Sequence, residues 1–129
     1  MDPKTLRYSK EHEWIAVVEG DVALVGISDY AQEELGDVVY VDLPAKDSKL
    51  QQFKKMGEVE SVKAVSDLFS PVSGTVVESN DKLSSAPELV NQDPYGEGWI
   101  ARVRLSNKAE LNNLMSYDEY QKMLGEAPH

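Results

Sequence analysis

Short runs of alternating apolar and polar residues, separated by glycine and proline, fill the middle of the chain from Trp14 to Leu105. The runs WIAVVEG and DVALVGI meet at Gly20-Asp21, a dipeptide that is typical of a tight hairpin turn. The same pattern continues in DVVYVDLP, GEVESV, LFSPVSG, GTVVESN and GWIARVRL, with breaks at Pro71 and Gly74. Many short strands with this punctuation predict a mainly β fold, either a small barrel or a sandwich.

Three segments have helical signals instead. In SDYAQEELG, Ser28 is suited to cap the helix N-terminus and Gly36 to end the helix. The segment SSAPELVNQDP predicts one short helix with Pro87 in its first turn. Apolar residues at helical spacing predict a C-terminal helical tail over about residues 108–124, with fraying after Gly125. We therefore expect helices on the periphery of a β core.

Length and composition indicate one ordinary globular domain over residues 1–129. The net charge is −10, and the nearest approach to a basic cluster is Lys54-Lys55, so nucleic-acid binding is not expected. The excess of acidic residues favours solubility. A second interpretation is that the chain docks on a partner with a basic surface. No run approaches the roughly 18 apolar residues of a membrane span, and the N-terminus has no targeting signal. We expect a cytoplasmic monomer with no membrane association.

Side chains for ordinary catalysis are scarce. The chain has no cysteine, which excludes disulfides and cysteine nucleophiles, and its only histidines are His12 and the terminal His129. A histidine-ligated metal site would depend on His12 almost alone, and we expect no metal. Neither a phosphate-binding glycine loop nor a serine-hydrolase motif occurs. The scarcity of catalytic side chains favours a binding or carrier role over an enzymatic one.

One lysine stands between two strand-like arms in GEVESVKAVSDLFSPVSG. Lys63 is flanked by Val62 and Ala64, and its nearest carboxylates, Glu60 and Asp67, lie three and four positions away. A lysine at a hairpin bend is often only solvated, and Lys63 by itself favours that interpretation. The small and β-branched flanks, however, would stiffen the bend and project the amine into water. This arrangement suits a lysine that is presented to a modifying enzyme.

The segments YSKEHEW, GISDYAQEELGDVVYVDLP, VESVKAVSD, SPVSGTVVESN and PELVNQDPYGEGW occur in this order, followed by a helical tail. Together they closely resemble the H-protein family of the glycine cleavage system, over roughly Tyr8 to Leu124. Biotin carriers place the modified lysine between methionines, and lipoyl domains of 2-oxoacid dehydrogenases usually precede it with aspartate. Val62 and Ala64 match neither pattern in full.

The resemblance implies a non-catalytic lipoyl carrier with lipoate in amide linkage to Lys63. In the family, the arm takes an aminomethyl group from glycine decarboxylase (P protein) to the aminomethyltransferase (T protein). Dihydrolipoamide dehydrogenase (L protein) then reoxidises the arm. A lipoate ligase or a lipoyl or octanoyl transferase would install the group. The implied fold is the barrel-sandwich hybrid, two small antiparallel sheets with the lysine at a hairpin tip and helices outside.

The resemblance also implies a cleft that shelters the loaded arm, lined here by Glu13, Tyr30, Glu34 and Asp67. Glu13, Tyr30 and Glu34 would hold the cationic amine by charge-assisted hydrogen bonds. The alternative is that Tyr30 only packs and Glu34 is only solvated. Glu60, on the arm leading into the lysine turn, would help the modifying enzyme to find the lysine.

Four positions depart from the family pattern. Histidine is frequent at the position of Tyr30 and occurs at that of Glu34, so we expect arm release to depend little on pH between about 6 and 8. Glycine is usual at the positions of Asp47 and Phe53. A lipoyl-relay protein, or an H-like lipoate carrier in sulfur-compound oxidation, would keep Lys63 and change the docking surface. An unmodified interaction domain is the third interpretation.

Overall fold

The computed structural model describes residues 1–126 and shows two antiparallel sheets with helices outside them. The six-stranded sheet has the order β1-β2-β3-β9-β8-β5 and the three-stranded sheet the order β4-β6-β7. The expected mainly β arrangement of two antiparallel sheets is confirmed, and the described strands form no closed barrel. The strands are β1 (Arg7–Tyr8), β2 (Glu13–Glu19), β3 (Val22–Ile27), β4 (Val38–Asp42), β5 (Lys49–Leu50), β6 (Lys55–Ser61), β7 (Val65–Phe69), β8 (Gly74–Ser79) and β9 (Ala101–Leu105).

The first helix has the caps that the sequence predicts. The Ser28 side chain accepts a hydrogen bond from the N–H of Ala31 at 3.2 Å, and Gly36 ends the helix with a φ of 77°. Among residues 1–126, no helix combines the length and apolar character that crossing a membrane requires. The helices are α1 (Asp29–Leu35), α2 (Lys82–Ser85), α3 (Leu89–Gln92) and α4 (Tyr117–Glu126), with 3-10 helices at Pro3–Thr5 and Lys108–Asn113.

Two helix predictions need correction. The single helix expected in SSAPELVNQDP is two one-turn helices, α2 and α3, separated at Ala86, which has φ −138° and ψ 64°. Proline disfavours a helical residue before it, so Pro87 breaks the helix at Ala86 rather than opening it. The expected C-terminal helical segment is confirmed by α4, and it is preceded by a 3-10 helix at Lys108–Asn113. Helix α4 continues past Gly125 to Glu126, and the rest of the predicted frayed end lies outside the described residues.

The main hydrophobic core lies between the two sheets. Ile15, Val25 and Val103 enter it from the six-stranded sheet, and Val41 and Val59 from the three-stranded sheet. Each of these five residues is at most 3% exposed. Burial of one such side chain contributes about 1.5–3 kcal/mol. The alternation read from the sequence therefore corresponds to inward-facing strand positions.

A second apolar cluster attaches α4 to the opposite face of the six-stranded sheet. It contains Tyr8, Trp14, Leu24 and Tyr120. The rings of Tyr8 and Tyr120 stack with their centroids 4.4 Å apart. Gly26 is paired with Trp14 in the β2–β3 register, and a Cβ at Gly26 would fall 2.6 Å from the indole. The stacking on Tyr8 holds Tyr120 beside the turn that precedes β2.

Two of the positions that depart from the family pattern have a left-handed backbone. Asp47 has a φ of 70° and Phe53 a φ of 66°, and glycine is the residue that the resemblance expects at both. This conformation costs a residue with a side chain roughly 1–2 kcal/mol, and aspartate tolerates it better than most. Phe53 is also 49% exposed, so its ring offsets little of that cost by burial.

Candidate functional site

Lys63 lies at the tip of the β6–β7 hairpin, as predicted. The N–H of Ser61 donates to the carbonyl oxygen of Ala64 across 2.8 Å, and the Ser61 side chain accepts from the N–H of Ala64 at 3.2 Å. Ser61 is buried, whereas Lys63 is exposed. The backbone of the turn is therefore fixed, and its lysine is open to solvent.

The Lys63 side chain lies against the C-terminal end of α1. A Cβ at Gly36 would sit 3.3 Å from Cε of Lys63 and 3.9 Å from its Nζ. The N–H of Val62 also donates to the carbonyl oxygen of Asp37 across 3.0 Å. The lysine turn and the end of α1 therefore form one connected unit, and a side chain at Gly36 would displace the lysine.

Asn91, in α3, connects the end of α1 to the start of β4. Its Nδ2 donates to the carbonyl oxygen of Gly36 at 2.8 Å and to Oε1 of Gln32 at 3.1 Å. Its Oδ1 accepts from the N–H of Val38 at 2.9 Å. One amide thus joins α1 to β4 immediately beside Lys63.

A cleft of about 300 Å³ opens between α1, the turn before β2 and strand β7. It is lined by all four residues expected around a sheltered arm, Glu13, Tyr30, Glu34 and Asp67. Glu60 does not line it and lies exposed on the outward face of β6. The structure therefore brings four of the five arm-docking and recognition candidates together. No three histidine or carboxylate side chains within residues 1–126 form a candidate metal site.

Glu13 forms the buried part of this cleft and is 1% exposed. The Ser9 hydroxyl donates to its Oε1 at 2.5 Å, and the N–H of Phe69 donates to its Oε2 at 3.2 Å. Burial raises the pKa of Glu13 to about 8 despite these two bonds. Glu13 is therefore a largely neutral group near pH 7, and the expected charge-assisted hydrogen bond between Glu13 and the amine stays a prediction.

Tyr30 and Glu34 lie on one side of α1, as their spacing predicts. Tyr30 is half-buried and Glu34 is exposed, and both line the cleft. Asp67 is exposed on β7, and its carboxylate lies 3.3 Å from Nζ of Lys55. Exposed carboxylates at the cleft are therefore those of Glu34 and Asp67, together with that of Glu11 in the turn before β2.

His12 lines the same cleft, which the sequence did not lead us to expect. Its ring lies 4.9 Å from that of Tyr30, and its Nδ1 lies 2.8 Å from the Tyr120 hydroxyl. An imidazole therefore lines the cleft, whereas the expected weak pH dependence of arm release between about 6 and 8 stays a prediction. Burial lowers the pKa of His12, and the raised pKa of Glu13 also reaches the upper end of that range.

Comparison with known proteins identifies the family. The family model described as Glycine cleavage H-protein matches residues 6–127. The glycine cleavage system H protein of Symbiobacterium thermophilum is 58% identical over 123 residues, which are 93% of this chain and 95% of that relative. The chain belongs to the glycine cleavage H-protein family. The resemblance read from the sequence is thus confirmed.

Two further H-protein relatives agree in sequence and in fold. The H protein of Carboxydothermus hydrogenoformans is 51% identical over 124 residues, covering 96% of this chain and 95% of its own length. The crystal structure of the H protein from Mycobacterium marinum matches this fold with a TM-score of 0.86 at 37% identity. That match covers 95% of this chain and 98% of the solved one.

Two residues of this H-protein fold were missed from the sequence. Asn91 lies within the segment PELVNQDPYGEGW, on which the family resemblance rests, so its position in the sequence was a usable signal. His12 lies within YSKEHEW, and there its neighbour Glu13 was selected instead. Neither segment indicates what the side chain contacts.

Proposed function

We propose that the chain is the lipoyl carrier of a glycine cleavage system, with lipoate joined to Nζ of Lys63 by an amide. When bound, the group supplies a dithiol–disulfide arm that accepts an aminomethyl group from glycine decarboxylase and passes it to the aminomethyltransferase. Amide formation removes the charge of the lysine. The exposed lysine on a fixed hairpin and the membership of the H-protein family support this proposal.

The observation that carries the proposal is the position of Lys63 beside Gly36, at the end of the helix that forms one wall of the cleft. From Gly36 to Tyr30 the helix axis rises about 9 Å, at 1.5 Å per residue. A lipoylated lysine extends for roughly 14 Å, from bond lengths of about 1.5 Å. An arm on Lys63 is therefore long enough to reach Glu34 and Tyr30 without movement of the hairpin.

The cleft residues would act on the arm in different ways. Glu34 and Asp67 would attract a cationic amine, and the Tyr30 hydroxyl would accept a hydrogen bond from it. Glu13 would provide a polar floor that is largely neutral near pH 7, because burial raises its pKa to about 8. The apolar side chains of Ile27 and Leu68 also line the cleft and would limit the access of water.

Glu60 remains a proposed recognition residue for the enzyme that modifies Lys63. It is exposed on the strand leading to the turn, where Val62 is also 71% exposed. Glu58, two positions earlier, is the matched control, since its carboxylate is paired with Nζ of Lys55. The rate of lipoylation should fall in Glu60→Gln and not in Glu58→Gln. Equal rates in both variants would assign Glu60 to the solvated surface.

The proposed partners are glycine decarboxylase, the aminomethyltransferase, dihydrolipoamide dehydrogenase and the enzyme that attaches lipoate. The chain itself would perform no catalysis and would act in the cytoplasm. Its net charge of −10 is suited to partners with basic docking surfaces.

The exchange of labelled bicarbonate into glycine, in the presence of glycine decarboxylase and the lipoylated chain, tests this function. We expect exchange with the lipoylated wild type and none with Lys63→Arg. A fully lipoylated wild type that supports no exchange would contradict the glycine cleavage role. That result would favour the alternative of a lipoyl relay or a carrier in sulfur-compound oxidation.

A further inference from the structure

His12 lies where three elements meet, although it belongs to the turn before β2. Its backbone is left-handed, with a φ of 73°, and its carbonyl oxygen accepts from the N–H of Ser28 at 2.9 Å. The imidazole ring lies 4.9 Å from the ring of Tyr30 on α1 and 5.7 Å from that of Tyr120 on α4. Since His12 also lines the cleft, its ring is placed between the cleft and the C-terminal helix.

A chain of hydrogen bonds leads from this ring to the first turn of α1. Nδ1 of His12 lies 2.8 Å from the Tyr120 hydroxyl, which lies 2.7 Å from Oγ of Ser28. The same Oγ accepts from the N–H of Ala31 at 3.2 Å as the N-cap of α1. Ser28 is 0% exposed, so its hydroxyl proton has no access to solvent.

Counting protons along this chain selects one tautomer of the neutral ring. If Ser28 donates to Tyr120, then Tyr120 donates to Nδ1, and the imidazole proton is on Nε2. In the reverse order, Nδ1–H donates to Tyr120 and Tyr120 donates to Ser28. The Ser28 proton then has no acceptor among the hydrogen bonds of residues 1–126; if Ser28 still donates to Tyr120, the Tyr120 proton has none instead. A buried hydroxyl proton without an acceptor is unfavourable, so the first order is preferred.

We propose that His12 is a positioning residue of the cleft, fixed by Tyr120 and Ser28 as the tautomer with its proton on Nε2, and that its protonation favours release of a cationic occupant. A protonated ring must donate from Nδ1 as well. That donation leaves the hydroxyl proton of either Tyr120 or Ser28 without an acceptor among the hydrogen bonds of residues 1–126, and it adds a positive charge to the cleft wall. The statement about release rests on the proposed function.

The surroundings of His12 keep the ring neutral near pH 7. Burial lowers its pKa, and the opposing effect of Glu11 and Glu34 is smaller. The pKa of Glu13 is raised to about 8, so Glu13 remains protonated throughout the range in which His12 titrates. The titratable groups around the ring are Glu11 and Glu13 from its own turn, Tyr30 and Glu34 from α1, Asp67 from β7 and Tyr120 from α4.

Nitrogen-15 chemical shifts of the imidazole test the tautomer in the unmodified chain. The background is His129→Gln, which leaves His12 as the only histidine. We expect the form protonated on Nε2 alone in this background, and a mixture of both tautomers in Tyr120→Phe. A ring protonated on Nδ1, or the same tautomer ratio in Tyr120→Phe, would overturn the inference. The tautomer of His12 in the His129→Gln background tests the inference by itself, even if Tyr120→Phe fails to fold.

The pH profile of the loaded protein tests release. We expect the aminomethyl group to be lost about threefold faster or more once the pH falls from about 7 to below the lowered pKa of His12, because the ring becomes charged there. His12→Asn keeps an acceptor oxygen, tolerates a left-handed backbone and does not titrate, so its profile should be flat. An equal rise in His12→Asn would overturn the release mechanism.

These results separate the inference from the proposed function. The tautomer measurement needs no lipoyl group, so its failure would overturn the role of His12 and leave the carrier function standing. Absence of bicarbonate exchange with the lipoylated chain would instead overturn the carrier function and leave the tautomer assignment standing.

Discussion

The side-chain amide of Asn91 donates a 2.8 Å hydrogen bond to the carbonyl oxygen of Gly36, where α1 ends beside Lys63. Its Oδ1 also accepts from the N–H of Val38, a residue that is 4% exposed. Leucine at position 91 would leave both backbone groups without partners, at about 1–3 kcal/mol each. We expect Asn91→Leu to lower the free energy of unfolding by about 2–4 kcal/mol in urea denaturation.

Asn113→Leu is the control for this substitution. Asn113 is exposed, and its amide donates only to Oε1 of Gln52 at 3.1 Å. The control should change the free energy of unfolding by less than about 0.5 kcal/mol. Equal losses in the two variants would show that Asn91 does not hold α1 to β4.

Glu13 predicts a pH dependence of stability. Its pKa is about 8 in the folded state because of burial, against 4.5 for an exposed glutamate. The folded chain therefore binds more protons than the unfolded chain between these values. The contribution of Glu13 to stability is complete below about pH 4.5, is lost as the pH rises to about 8, and changes no further above that.

The substitution Glu13→Gln tests this dependence by urea denaturation from about pH 5 to about pH 8. Glutamine does not titrate, so the variant should gain stability relative to wild type as the pH rises, by up to about 1.4 kcal/mol per pH unit. Glu19→Gln, at an exposed position at the end of β2, should parallel wild type. A constant difference between Glu13→Gln and wild type would contradict the raised pKa.

Phe53 predicts an unusual order of stability for two small replacements. Its left-handed backbone, with a φ of 66°, favours glycine over alanine. We expect Phe53→Gly to be more stable than Phe53→Ala by about 1 kcal/mol in thermal or urea unfolding. At the exposed neighbour Lys54, which has no positive φ, alanine should instead be the more stable. The same order at both positions would contradict backbone strain at Phe53.

The carboxylate of Glu34 is expected to prolong the time for which the loaded arm stays in the cleft. Its exposed carboxylate would attract the amine, and removing an interaction of this kind costs roughly 0.5–1.5 kcal/mol. We expect Glu34→Ala to lose the aminomethyl group about three- to tenfold faster than wild type. Glu33→Ala is the control, because Glu33 is adjacent on α1 and does not line the cleft. Similar rates in both variants would place the arm elsewhere.

Local signals in the sequence predicted the local structure well. The Gly20-Asp21 hairpin, the Ser28 cap and the Gly36 stop depend on neighbouring residues only, and each occurs as expected. Lys63 was found at a hairpin tip because both of its arms alternate. The break at Ala86 was missed although its signal is local, since Pro87 was read as opening a helix when it ends one.

Properties that depend on distant contacts could not be read from the sequence. Tyr120, which fixes Nδ1 of His12, is 108 positions away along the chain. The raised pKa of Glu13 follows from burial beneath β7 and α1, and residue type alone gives no sign of it. The resemblance identified most of the cleft by position, whereas its charge and hydrogen bonds came only from the three-dimensional arrangement.

The intact mass of the chain after co-expression with a lipoate ligase tests the central claim most directly. We expect one lipoyl increment on the wild type, the same increment on Lys55→Arg, which changes another lysine of the hairpin, and none on Lys63→Arg. A lipoyl increment that survives Lys63→Arg, or a wild type that is never modified, would contradict Lys63 as the attachment site.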